Sequence, residues 1–234
     1  MLLRVELYAD GASLEEMAGL ARDARISGFT TNPSLMRRAG VPDYQQFALE
    51  ALRMVAPRPL SVEVLSDSLE GMEREARHLA GLGYNAVVKI PCTTTQGVST
   101  AGLVRRLAVA GVPVNVTAVM TLDQVVAASE ALGDYCHGWV SVFAGRIADT
   151  GRDPVPMMQA ALAVLARHPL QRLIWASPRE LLNVVQADEI GCHVITATPD
   201  ILKKLPLLGK PLRDYSLETV RMFYEDGLAA GYRL

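Results

Sequence analysis

Along this chain, short apolar, β-branched runs alternate with amphipathic helical patterns, an order that folds built from βα units accommodate. Strands read at residues 5–10 (VELYAD), 26–31 (ISGFTT), 60–65 (LSVEVL), 86–91 (AVVKIP), 112–119 (VPVNVTAV), 138–143 (GWVSVF), 172–177 (RLIWAS) and 193–198 (HVITAT), eight in all. The helices between them start at N-caps such as Ser13 or Ser66 and stop near Gly83, Gly111, Gly133 and Gly191. Eight such units in about 200 residues predict an α/β chain of the (β/α)8 TIM-barrel type. A doubly wound open sheet is the alternative, but no G-x-G-x-x-G follows the first strand. No linker, low-complexity tract or composition break divides residues 1–234, so one TIM-barrel domain is expected. A helical extension over about 215–230 follows, with Val220, Phe223, Tyr224 and Leu228 on one stripe. Such a stripe suits either a neighbouring subunit or the barrel's own bottom.

Charge narrows the partners. The formal net charge is -2, from 23 basic and 25 acidic residues with no long run of one sign. That balance argues against a nucleic-acid surface and against a polybasic membrane anchor, leaving small molecules or further copies of the chain. The start, MLLRVELYAD, reads as a strand and lacks the pattern of a signal peptide, and no stretch reaches about 18 apolar residues, so no membrane span is expected. Cys92, Cys136 and Cys192 are odd in number and widely spaced, which fits reduced thiols and a cytoplasmic location. Cys136 with His137 and Cys192 with His193 are adjacent pairs whose side chains leave a strand on opposite faces, so no metal site is expected, and no cofactor.

In a TIM barrel the chemistry sits at the C-terminal ends of the strands. Those ends carry Asp10, then Thr30, Thr31 and Asn32, then Glu63, Lys89, Asn115 with Thr117, Phe143 leading to Arg146, and Ser177 with Arg179 just beyond. Lys89 is set among Val87, Val88, Ile90 and Pro91. Burying an unpaired ammonium costs several kcal/mol, so such a lysine is paired, solvated or held neutral, and a neutral lysine is a nucleophile. Alternation points Lys89 into the barrel with Val87 and Pro91, and puts Asn115 and Thr117 on one face. From this layout alone, a plain ion pair with a neighbouring carboxylate stays open as a second reading.

Several segments are similar to blocks of the transaldolase family. GFTTNPSLM resembles its GxTTNPS segment, and NAVVKIPCT resembles the V-K-I/V-P-x-T segment that bears a Schiff-base lysine. VPVNVTAVMTLDQ, SVFAGRIAD, WASPRE and GCHVITATPDILKKL match later blocks in the same order. The resemblance implies that Lys89 forms a Schiff base with a ketose phosphate and that Asp10 takes the C4 hydroxyl proton. It implies that Glu63 and Thr117 position a water, and that Asn32 and Asn115 hold the dihydroxyacetone hydroxyls beside Thr31. Arg146, Arg179 and Ser177 match a phosphate clamp, which a sulfonate would also satisfy. Glu63, Asn115 and Phe143 lean towards a transaldolase, since the related fructose-6-phosphate aldolases carry glutamine and tyrosine at the first and last of these positions. A barrel that binds sugar phosphates without turning them over is a remote alternative, as is an isomerase barrel, which has no need of the lysine. Small relatives resemble one another in forming pentamers or decamers through the C-terminal helix. Two departures bear on the acceptor pocket: Gln96 replaces an acidic residue, and Pro178, expected in the first turn of a helix, replaces an aromatic one.

Overall fold

The computed structural model describes residues 3–233. The chain runs through β1 (Glu6–Asp10), α1 (Leu14–Leu20), β2 (Ile26–Thr30), α2 (Pro33–Arg38), α3 (Tyr44–Val55), β3 (Leu60–Glu63) and α4 (Leu69–Ala80). It continues through β4 (Ala86–Pro91), α5 (Ala101–Val109), β5 (Val114–Val119), α6 (Leu122–Leu132), β6 (Gly138–Val142), α7 (Ala144–Asp149) and α8 (Val155–Leu165). Last come β7 (Gln171–Trp175), α9 (Leu182–Glu189), β8 (Val194–Ala197), α10 (Pro199–Leu202) and α11 (Leu212–Ala229). The strands pair in parallel in chain order, and β8 closes onto β1. This is the (β/α)8 barrel with an added C-terminal helix.

Local chemistry sets the element ends. Ser13 caps α1 by accepting from the Glu16 amide, and Thr121 with Gln124 forms a reciprocal capping box on α6. For α4 the cap is Ser68 and not Ser66, because the Ser66 hydroxyl donates to Glu75 and stays in the loop. Likewise α4 ends at Gly81, ahead of Gly83. Pro178 does not open a helix: α9 starts at Leu182, and Pro178 belongs to the loop after β7.

Period-two alternation divides the strand residues between two environments. Phe29, Leu60, Val62, Val88, Ile90, Val140, Leu173 and Trp175 face outward and pack against helix residues such as Phe47, Leu52, Met72, Leu107 and Met158, all buried. Each such side chain contributes roughly 1.5–3 kcal/mol. Tyr8, Val87, Trp139, Ile174 and Val194 face inward and form an apolar plug in the lower lumen. Gly28 makes room for it, since a methyl there would lie 2.5 Å from the Tyr8 ring. Two residues further along four of these strands stand Asp10, Lys89, Ser141 and Thr196. The lumen is therefore apolar below and polar at the rim where the strands end.

None of the residues of α11 is buried, so it does not cover the barrel's bottom. Its apolar residues Val220, Phe223, Tyr224 and Leu228 are all exposed.

Candidate active site

Strand register places Glu63, Lys89 and Asn115 side by side on β3, β4 and β5. Lys89 is 5% exposed; its Nζ lies 3.1 Å from Glu63 Oε2 and donates to the Thr31 carbonyl at 2.8 Å. The apolar residues flanking it in sequence, Val88 and Ile90, belong to the outer core and do not surround the amine. The setting expected from the strand's composition is thus replaced by a carboxylate and a carbonyl, and the ion pair left open by the sequence is present.

Asp10 ends β1 and accepts from Thr30 Oγ1 at 2.7 Å, and Thr30 Oγ1 is 2.5 Å from Thr196 Oγ1. Desolvation pushes the Asp10 carboxyl above the usual carboxylate range, against the pull of Lys89 and the Thr30 hydrogen bond, and the Glu63 charge adds to the rise. Asn115 is fully buried; its Oδ1 accepts from Ser141 Oγ at 2.8 Å, and its Nδ2 donates to Ser61 Oγ at 3.2 Å. Those two bonds hold the plane of the amide between β3 and β6. Asn32 spends its Oδ1 on capping α2 through the Leu35 amide at 3.0 Å, which leaves its Nδ2 to serve a ligand.

Thr31 Oγ1 and Thr117 Oγ1 are buried with no partner in the protein. An unsatisfied buried hydroxyl costs about 1–3 kcal/mol, and the Trp139 and Trp175 indole N–H groups, also buried without a partner, carry a similar cost elsewhere in the barrel. Immediately after Thr117, Ala118 sits at φ 61, and the β5–β6 register slips between Val116 and Val119. A left-handed alanine of this kind is strained, and such strain gathers at functional sites.

Above this floor opens a cavity of about 400 Å³ lined by Asp10, Asn32, Glu63, Phe143, Arg146, Ser177 and Arg179, among others. Seven of the residues expected at the site thus share one cavity. Lys89, Thr31, Asn115 and Thr117 lie outside its lining, and Lys89 adjoins it through Glu63. At the wall formed after β6 and β7, the Arg146 guanidinium stands 5.5 Å from the centre of the Phe143 ring. Arg179 is not free: its Nε donates to Asp149 Oδ1 at 2.9 Å, and its Nη2 to Asp149 Oδ2. Ser177 sits at φ 57, and α7 packs so closely against it that a Cβ on Gly145 would fall 1.5 Å from the Ser177 carbonyl oxygen.

Several lining residues escaped the sequence reading, Arg38, Thr196 and Thr198 among them. Arg38 comes from the last turn of α2, where sequence cannot decide between Arg37 and Arg38. Thr196 and Thr198 come from the end of β8, where the same alternation used on the other strands would have found them. Among the described residues, no group of three or more His, Cys, Asp or Glu is placed to hold a metal ion, and no helix is long and apolar enough to cross a membrane.

The chain is 32% identical over 231 residues to a protein of a Thermoanaerobacter species described as a probable transaldolase, covering 98% of this chain and 100% of that one. It is 34% identical over 223 residues to a probable transaldolase of Desulforudis audaxviator, covering 95% and 97%. Among solved structures, an HpcH/Hpal aldolase/citrate lyase family protein from Burkholderia cenocepacia matches with a TM-score of 0.57 at 17% identity, covering 93% of this chain and 95% of that one. That last likeness is one of fold alone. A family model described as Transaldolase/Fructose-6-phosphate aldolase matches residues 7–230, and the chain belongs to that family.

Proposed function

We propose that this chain is a class I transaldolase that moves a dihydroxyacetone unit from a ketose phosphate, fructose 6-phosphate or sedoheptulose 7-phosphate, to an aldose phosphate. The observation that carries the reading is the buried Lys89 amine, held beside Glu63 under a cavity whose walls bear Asp10 and guanidinium groups.

Glu63 is within reach to take the proton that leaves the Lys89 ammonium, and the freed amine attacks the C2 carbonyl. The carbinolamine loses water to give an iminium, with Glu63 and Thr117 placing the water that relays protons; the unpaired Thr117 hydroxyl suits that role. Asp10 then takes the C4 hydroxyl proton, the C3–C4 bond breaks into the iminium, and an aldose phosphate leaves. Asp10's raised carboxyl pKa makes it a stronger base than an exposed aspartate. Asn32 and Asn115 hold the hydroxyls of the enamine that remains on Lys89, beside Thr31. A second aldose phosphate accepts the fragment by the reverse steps. Arg146, Arg179 and Ser177 take the phosphate, and guanidinium is suited to it by bidentate geometry.

Phe143 favours transfer over release, because it offers no hydroxyl to help a water protonate the enamine. A fructose-6-phosphate aldolase, or a transaldolase for a sulfonated ketose, is the second reading. We further place the enzyme in the cytoplasm, in pentose phosphate interconversion, as a homo-oligomer, a pentamer or decamer, joined through α11, with no nucleic-acid or membrane partner. The exposed apolar stripe of that helix supports the assembly.

Borohydride reduction in the presence of fructose 6-phosphate tests the chemistry. A stable mass adduct on Lys89, absent from Lys89→Ala, is expected; no adduct with this sugar or a sulfonated analogue would sink the reading. Adding erythrose 4-phosphate should discharge the fragment, whereas dihydroxyacetone released without an acceptor would favour the aldolase.

A further inference from the structure

We infer that Asp149, which does not line the cavity, is a positioning residue for anion recognition: it fixes the Arg179 guanidinium so that its remaining N–H groups serve a phosphate bound between Arg179, Arg146 and Ser177. The inference rests on the phosphate-clamp reading above.

Helix α7 carries the argument. Gly145 and Asp149 are four residues apart and so lie on one face of the helix. At Gly145 that face meets the loop after β7 so closely that a Cβ would lie 1.5 Å from the Ser177 carbonyl oxygen and 3.3 Å from Arg179 Nε. One turn on, Asp149 accepts from Nε and Nη2 of Arg179, a side-on fork. The loop is fixed from its other side as well, where the Arg179 amide donates to Asn183 Oδ1 at 2.7 Å. Guanidinium has five N–H donors, and Asp149 takes two, so an anion at the cavity need not displace the carboxylate. The hydrogen bonds from Arg179 hold the Asp149 carboxyl below its usual range, which keeps it an acceptor. Arg146, by contrast, has no carboxylate within ion-pair distance among the described residues and rests on the Phe143 ring.

A carboxylate beside a clamp arginine has two opposing effects: it orders the side chain, and it offsets the charge that attracts the anion. Both side chains here are about half exposed, 48% for Arg179 and 52% for Asp149, so water and salt screen the charge effect. Screening does nothing to the torsional freedom that Arg179 regains when the fork is removed. Ordering therefore dominates, and Asp149 aids binding.

The test is borohydride trapping on the full chain, comparing wild type with Asp149→Ala, Asp149→Asn and Asp149→Glu. Fructose 6-phosphate and unphosphorylated dihydroxyacetone each serve as the trapped ketone. Asp149→Ala is expected to need roughly tenfold more fructose 6-phosphate for half-maximal adduct. Its maximal adduct, and its half-saturation by dihydroxyacetone, should match wild type. Asp149→Glu should recover most of the loss, and Asp149→Asn, close in shape, covers the case that the alanine variant does not fold. An unchanged or lower half-saturation for the phosphorylated sugar would overturn the inference, as would an equal loss with both ketones. Wild type that yields no Lys89 adduct with either ketone would instead refute the Schiff-base reading itself.

Discussion

Asp10 shows at the level of one residue what burying a carboxyl at this rim costs in stability. Its carboxyl titrates above the usual range because it is desolvated, with Glu63 nearby adding to the rise. A group whose pKa is raised by folding binds its proton more tightly in the folded state. Its stabilising contribution is therefore complete below the unfolded pKa of about 3.9 and is lost as pH rises through the higher folded value. Above the unfolded pKa, burying the Asp10 carboxyl is a cost to stability. Asp10→Asn, which keeps an acceptor for Thr30, should raise the melting temperature at pH 7 by roughly 2–4 °C, the shift that about 1 kcal/mol gives a chain of this size. Near pH 3 the gain should vanish, as scanning calorimetry at the two pH values would read. Turnover should fall by about 10²–10⁴, the usual contribution of a positioned base. Lys89 needs a different reading of its variants. Because it is paired with Glu63, Lys89→Ala leaves a carboxylate without its counter-ion and should lose stability whether or not the amine reacts. The mass adduct, not the melting curve, separates the two roles.

At the scale of the element, α7 does more than bridge two strands. Its six residues follow Phe143 and bring Arg146 and Asp149 to the loop after β7, and Gly145 sets how near the two approach. Gly145→Ala places a methyl 1.5 Å from a backbone oxygen, which no rotamer relieves. It should destabilise by about 1–3 kcal/mol in denaturant titration and raise the fructose 6-phosphate needed for half-maximal trapping, since α7 must move off Ser177. An unchanged melting transition would mean that the contact is softer than the packing indicates. Elements of this kind were legible in part. Ser13 reads correctly as a cap because capping is decided within three residues of chain. Ser66 misleads because its hydroxyl has a competitor, Glu75, that comes within reach only once α4 has formed. Pro178 misleads similarly, since its loop is shaped by the approach of α7 and not by the proline alone.

For the whole molecule, the barrel and α11 are unequal in how they are held. The barrel's helices bury apolar faces on the sheet, whereas α11 buries none, with Phe223 at 65% exposure and Tyr224 at 68%. Contiguous apolar surface of this kind is costly in water, which supports its use between copies of the chain. A chain truncated before Tyr215 should scatter light as a single copy while the full chain scatters as a multiple; equal masses would remove α11 from the assembly. The sequence by itself determined the eight strands, their order and many of the polar residues at the strand ends, because alternation and βα connectivity are short-range properties. Only the tertiary structure decided which of those residues meet. The Lys89 amine finds the Thr31 carbonyl 58 residues away, and Arg179 finds Asp149 30 residues away. Such pairings depend on strand register and on the angle at which a helix returns to the sheet. Both are set by packing across the whole barrel, which no local window of sequence contains.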